Sequence, residues 1–354
     1  MPTLSTTDHI MLEEYWRMRA SGQAVNFGDI ELVDATEYPF NIAYDLIHRR
    51  LNELRASVDD WQSPWQPMVH IVKDKNSTFA YAIKGCTDVD WIFLSSKLVE
   101  DLQWYAGNIG IKCALALAEG GRPSVDLVAE CEQAVFEATL SYYLEHELAH
   151  HLDGHLGCRK AVPLNPGACQ TLELAADTIA FEKLIQGELA RMRQNITTPD
   201  KFVGAILAST LTFLAVLPPM RSKTNSTLAS NRNIHPNSAF RQLIGLSMWT
   251  RALSDEIGMD AIEMTLNGAQ VVICAFLERS SEPNRKLAES WRDMLGKRER
   301  LPFLRDADLR RVLYDPHIHA YADAMADRYD RLSPTLDRFR RGQVDNPSSK
   351  WRFL

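Results

Sequence analysis

His146 and His150 stand four residues apart, with Glu147 beside the first, inside a segment whose apolar residues recur at helical spacing. Val128, Cys131, Val135, Leu140, Leu144 and Leu148 mark that helix from Val125 to about Leu152, with a stop near Asp153-Gly154. Residues i and i+4 leave one helical face a turn apart, so both imidazoles can reach a single ion. Glu147 then lies beside the open position of that ion, placed to take a proton from water without ligating. Two imidazoles and a carboxylate on an inward face are costly unless they find partners. The chain must therefore bring further polar groups to this helix from elsewhere in the fold.

A catalytic zinc site needs a third protein ligand and one open position. A glycine seven residues after the first histidine and a third histidine three later would supply it in one arrangement, but those places hold Asp153 and Leu156. Glu173, in Glu173-Leu174-Ala175-Ala176-Asp177, supplies it from a following helix. Asp177 falls one turn further on the same face, where it can accept a hydrogen bond from the far nitrogen of a ligand histidine and fix its tautomer. Ala175 and Ala176 are small enough for the two helices to approach closely.

HExxH followed about two dozen residues later by ExxAD resembles the gluzincin metallopeptidases. His235-Pro236 with Arg241 narrows the resemblance to the HtpX and CAAX-prenyl-protease type and its compact soluble relatives. There the resemblance implies that His235 and Arg241 lie over the metal, stabilising an oxyanion or holding substrate. The run Asn76 to Ala82, before WIFLSSKLVEDL, is similar to the strand that borders the cleft in that family. The resemblance covers about residues 75–245. By size and organisation the chain more nearly resembles the soluble Lit-type phage-exclusion peptidases, which act on a translation factor.

The rest of the chain sets the architecture. Helical spacing is visible at 8–20 and 40–57, and MVHIV, TFAYAI and WIFL between Pro67 and Leu94 read as three short strands. Ser95 or Ser96 is placed to cap the helix that follows. A second helix is expected from about Gln170 to Met192, after a Pro/Gly loop, and 222–238 reads as an Asn/Ser-rich loop. The expected fold class is α+β and zincin-like, mainly helical, with a small sheet on the N-terminal side flanking the active-site helix. The expected divisions are an N-terminal helical segment at 1–65, a metallopeptidase core at 66–245, a C-terminal helical region at 246–342 and a tail at 343–354.

Composition excludes little more. A formal net charge of -7 and the lack of a basic stripe argue against a nucleic-acid partner. The six cysteines form no CxxC pair, and the first residues lack a signal-peptide pattern, so a reducing cytoplasm is expected. Phe202 to Leu217 is apolar but shorter than the roughly 20 residues a bilayer requires. A helix buried in the core is the preferred reading, with peripheral membrane association left open. His151 and His155 read as polar residues that suit the helix dipole at its C-terminal end. His9, His48, His70, His317 and His319 read as structural.

The expectation is a zinc-dependent endopeptidase. His146, His150 and Glu173 hold Zn2+, Glu147 is the general base, Asp177 orients a ligand, and His235 and Arg241 assist at the oxyanion. A protein or peptide is the expected substrate. The alternative is a non-catalytic zinc protein whose helical C-terminal half binds a partner. Glu147 would have no role in such a site, and structural zinc sites are usually closed and cysteine-rich.

Overall fold

A computed structural model describes residues 31–56, 66–76, 78–84, 89–118, 121–198, 201–217, 236, 238–258, 261, 263–265, 268–269, 272, 316–341 and 344–351. The helical spacing at 8–20, most of the Asn/Ser-rich segment, His9 and His235 lie outside the described residues. The fold is mostly helical with one small sheet, as the α+β reading expects.

Helix α1 (Phe40–Ala56) precedes the strands β1 (Gln66–Val72), β2 (Ala80–Ile83) and β3 (Val89–Ser95). β3 is central, parallel to β1 and antiparallel to β2, with Met68 opposite Trp91 and Ala82 opposite Ile92. Alternation sorts the side chains onto two faces. Ile71, Ile92 and Leu94 turn into the main helical core, while Phe79, Trp91 and Phe93 form a smaller cluster on the other face. The His70 ring stacks on Trp91 there, and burial lowers its pKa.

β3 runs directly into α2 (Ser96–Leu117), with Ser95 accepting from the Leu98 N–H at 3.1 Å. The long helix α3 (Val125–Leu152) is capped by Ser124, carries Asp126 in its first turn and ends at Asp153. Gly154 takes the left-handed conformation, φ 76°, and reverses the chain into the short α4 (His155–Ala161). Next come α5 (Pro166–Asn195), α6 (Phe202–Ala215), α7 (Ser238–Ile257), α8 (Pro316–Leu336) and the single turn α9 (Ser348–Trp351). α5 starts earlier than its apolar spacing suggests, because Asn165 caps the Ala168 N–H and Pro166 occupies the first turn.

One contiguous apolar core extends from Val33 to Trp351, through Phe136, Leu144, Phe181, Phe213, Trp249 and Tyr329. α6 contributes Ile206, Leu211, Phe213 and Leu214 to it. Among the described residues no helix is long and apolar enough to cross a membrane. The C-terminal residues read as a tail correct that expectation, because Trp351 is fully buried and its Nε1–H donates to Thr178 Oγ1 at 2.7 Å. The polar residues around it hid this apolar anchor, which Val344 of the same segment reinforces.

Candidate metal centre

The two long helices α3 and α5 pack against each other through small side chains. Ala149, Ala176 and Ile179 share a cluster of their own, and Ala175 is also fully buried. This close approach brings His146 and His150 of α3 against Glu173 and Asp177 of α5. His146 Nε2 lies 3.3 Å from His150 Nε2, and Glu173 Oε2 lies 3.4 Å from the first and 3.7 Å from the second. The imidazoles meet edge-on, with ring planes at 87°. Three buried donor atoms thus converge on one point, a grouping that could hold a metal ion.

Each histidine is held from behind. His146 Nδ1 lies 2.9 Å from Asp177 Oδ1, at hydrogen-bond distance but off the line a ring N–H prefers. Arg241 Nε and Nη2 donate to Asp177 Oδ2 and Oδ1 at 2.5 and 2.6 Å, and the Tyr142 hydroxyl donates to Asp177 as well. Burial opposes the charge on Asp177, but the Arg241 guanidinium and His146 hold its carboxyl well below the usual range. Burial would likewise lower His146, and its hydrogen bonds to Asp177 and Glu173 reverse that, raising it to about 10.

His150 sits differently. Its Nδ1 lies 2.9 Å from His155 Nδ1, whose other nitrogen is 2.8 Å from Asp153 Oδ2. Burial drives its pKa down to about 3, so it is neutral and ready to donate a lone pair. Glu173 is also gripped from outside the pair, since Arg159 Nη2 donates to its second oxygen at 2.5 Å. Glu147 points toward the edge strand, where it accepts from the Ala82 N–H, and burial pushes its carboxyl up to about 7.

His146, His150, Glu173, Asp177 and Arg241 are therefore brought together. Arg241 is buried against Asp177 rather than facing the open side of the site. His151 lies in the last turn of α3, as its reading as a helix-end residue expects, and His155 opens α4; both are buried, and neither is among the three donors. His151 lies near Asp90 and the Trp91 carbonyl, and His155 is in contact with His150. Sequence reading missed Tyr142, which its place one turn before His146 could have flagged. It also missed Arg159, Asp153 and Tyr329, for which the sequence carries no local signal. His317 and His319 lie on the first turn of α8. Among the described residues Cys113, Cys131, Cys158 and Cys169 are free thiols.

Compared with protein-family models, with curated proteins and with solved structures, the chain matches none.

Proposed function

We propose that the chain is a zinc-dependent endopeptidase acting on a protein or peptide, with His146, His150 and Glu173 as ligands. The observation that carries the reading is the spacing of the three donor atoms. Ligand bonds of about 2.0–2.1 Å at tetrahedral angles place neighbouring donors about 3.3–3.4 Å apart. The separations here are 3.3, 3.4 and 3.7 Å, and the fourth direction is left without a protein donor of this group. Imidazole and carboxylate donors in this number suit zinc at a catalytic rather than a structural site.

Zinc bound there would supply Lewis acidity at the scissile carbonyl and lower the pKa of a water toward ~7. Glu147 takes the proton from the attacking water and passes it to the leaving amine. Its burial beside the ligands, on the Ala82 N–H, fixes the carboxylate where that transfer occurs. Asp177 holds His146, and Arg241 with Tyr142 holds Asp177. Arg241 thus acts through Asp177 rather than at the oxyanion, and His235 keeps its proposed part there by sequence resemblance. Strand β2 is an edge strand, so an extended substrate pairs along it and orders the scissile bond over the site. A role in phage exclusion and a cytoplasmic location belong to the same proposal and are carried by sequence resemblance and composition.

The test is metal content by elemental analysis of the purified chain beside His146→Ala, Glu173→Ala and Glu147→Gln. Near-stoichiometric zinc is expected in the wild type and in Glu147→Gln, and its loss in the two ligand variants. Glu147→Gln should also lose nearly all peptide cleavage. Wild-type protein that takes up no zinc when supplied with it, or a Glu147→Gln variant that cleaves at the wild-type rate, would overturn the proposal.

A further inference from the structure

His146 and His150 are each backed by an aspartate that a tyrosine and an arginine hold. Behind His146 stands an aspartate, Asp177, held by a tyrosine and an arginine, Tyr142 and Arg241. Behind His150 stands another aspartate, Asp153, also held by a tyrosine and an arginine, but with His155 interposed. The first set comes from the helices that carry the motif and from α7. The second joins Asp153 and His155, at the turn between α3 and α4, to Tyr329 and Arg340 from the C-terminal part of the chain, for which the motifs provide no role.

With neutral imidazoles at His150 and His155, these hydrogen bonds allow one placement of protons. Tyr329 Oη accepts from Arg340 Nη2 at 3.0 Å and so donates its own proton to Asp153 Oδ2 at 2.6 Å. Arg340 Nε donates to Asp153 Oδ1 at 2.8 Å. Facing two such donors, the Asp153 carboxylate acts only as an acceptor, so the nitrogen of His155 that meets it, Nε2 at 2.8 Å, carries hydrogen. A neutral His155 then presents a lone pair at Nδ1. His150 Nδ1, 2.9 Å away, must be the donor in that contact. With its one proton at Nδ1, His150 leaves Nε2 bare, and Nε2 is the atom that meets His146 and Glu173. Reversing the His155 tautomer would make His150 Nδ1 the acceptor and put its proton on Nε2, the nitrogen a metal needs.

The backbone locks the same segment in place. Gly154 lies so close to the end of α8 and the turn after it that a Cβ would sit 2.8 Å from Leu336 O and 2.9 Å from Arg340 N. The Arg341 N–H donates to Leu152 O, the last residue of α3, at 3.0 Å. Asp153 and His155 are wholly buried under this contact.

We propose that Tyr329 of α8 and Arg340 of the following turn act on the metal ligand His150 through Asp153 and His155, a relay that selects its ligating tautomer. His155, Asp153, Tyr329 and Arg340 are positioning residues, and none touches the metal or the substrate. The relay rests on the reading of His146, His150 and Glu173 as a metal site.

The experiment is competition for Zn2+ and Co2+ against a chromophoric chelator. It uses the full chain and His155→Leu, His155→Asn and Tyr329→Phe, each at a temperature where its metal-free form is folded by circular dichroism. His155→Leu is expected to weaken metal binding 10–100-fold, the range seen when a ligand histidine loses its outer partner. His155→Asn keeps an acceptor near the Nδ1 position and should recover part of the loss. The visible bands of the Co2+ form should shift in His155→Leu, which a purely structural role would leave unmoved. A folded His155→Leu that binds Co2+ within threefold of wild type, with unchanged bands, overturns the relay and leaves the metal site standing. If His155→Leu does not fold, Tyr329→Phe with wild-type affinity overturns it. A wild-type chain that binds neither metal overturns the site and the relay together.

Discussion

Arg241 shows what a single buried charge does to this site. Its guanidinium is enclosed by protein and donates to both oxygens of Asp177 and, at 3.1 Å, to Tyr142 Oη. Removing one partner of a buried pair strands the other charge without solvent, at a cost of about 3–5 kcal/mol. Arg241→Ala is therefore expected to lower the unfolding free energy by about that amount in urea titrations. Arg241→Lys should recover only part, because a point charge cannot make the two-pronged contact. A loss below about 1 kcal/mol would show that Asp177 finds other partners or water when the arginine leaves. At this scale the sequence was most legible where one helix carries the geometry. His146, Glu147 and His150 follow from the helical repeat, and Glu173 and Asp177 from the same repeat on a second helix. Arg241 could be assigned to the site but not to a partner. Its contact depends on which face α7 turns to α5, and a pattern within α7 does not encode that.

Gly154 decides how the elements around the site connect. At φ 76° it occupies a region that costs other residues roughly 1–2 kcal/mol, and its missing side chain admits the backbone of the turn after α8. Gly154→Ala should therefore combine backbone strain with a clash against atoms that have little room to move. Gly187, in the interior of α5, has nothing within 4 Å of an added Cβ. There alanine should stabilise by about 0.5–1 kcal/mol through helix propensity alone. Thermal melts of the two variants are expected to move in opposite directions. A Gly154→Ala protein as stable as wild type would mean that the reversal after α3 is not held by the C-terminal segment. The same reversal explains why His155 was read as an end residue. Helical spacing predicts directions only while the helix continues, and one left-handed residue swings the next side chain back beneath His150. The strands were easier to read, because short runs of β-branched and aromatic residues between polar turns mark a strand locally, whichever strand it pairs with.

For the molecule as a whole, the C-terminal segment is where the sequence was least legible. Its described residues are mostly polar, and Trp351, helped by Val344, carries their packing. Trp351 is fully buried, stands edge-on to Tyr329 with ring centroids 5.7 Å apart, and donates to Thr178, the neighbour of Asp177. It therefore touches an element of each assembly that backs a histidine of the centre. Trp351→Ala removes a large buried side chain, and such truncations cost about 3–5 kcal/mol. Trp351→Phe keeps much of the contact with Tyr329 and gives up one hydrogen bond, worth about 0.5–1.5 kcal/mol. Thr178 Oγ1 still donates to Leu174 O at 2.8 Å in that variant, so no buried hydroxyl proton is left without an acceptor. Urea unfolding should rank wild type above Trp351→Phe and Trp351→Phe well above Trp351→Ala. Equal midpoints for wild type and Trp351→Ala would mean that the segment merely rests on the core. The ranked result would make the chain's last described turn part of the scaffold that holds the metal centre.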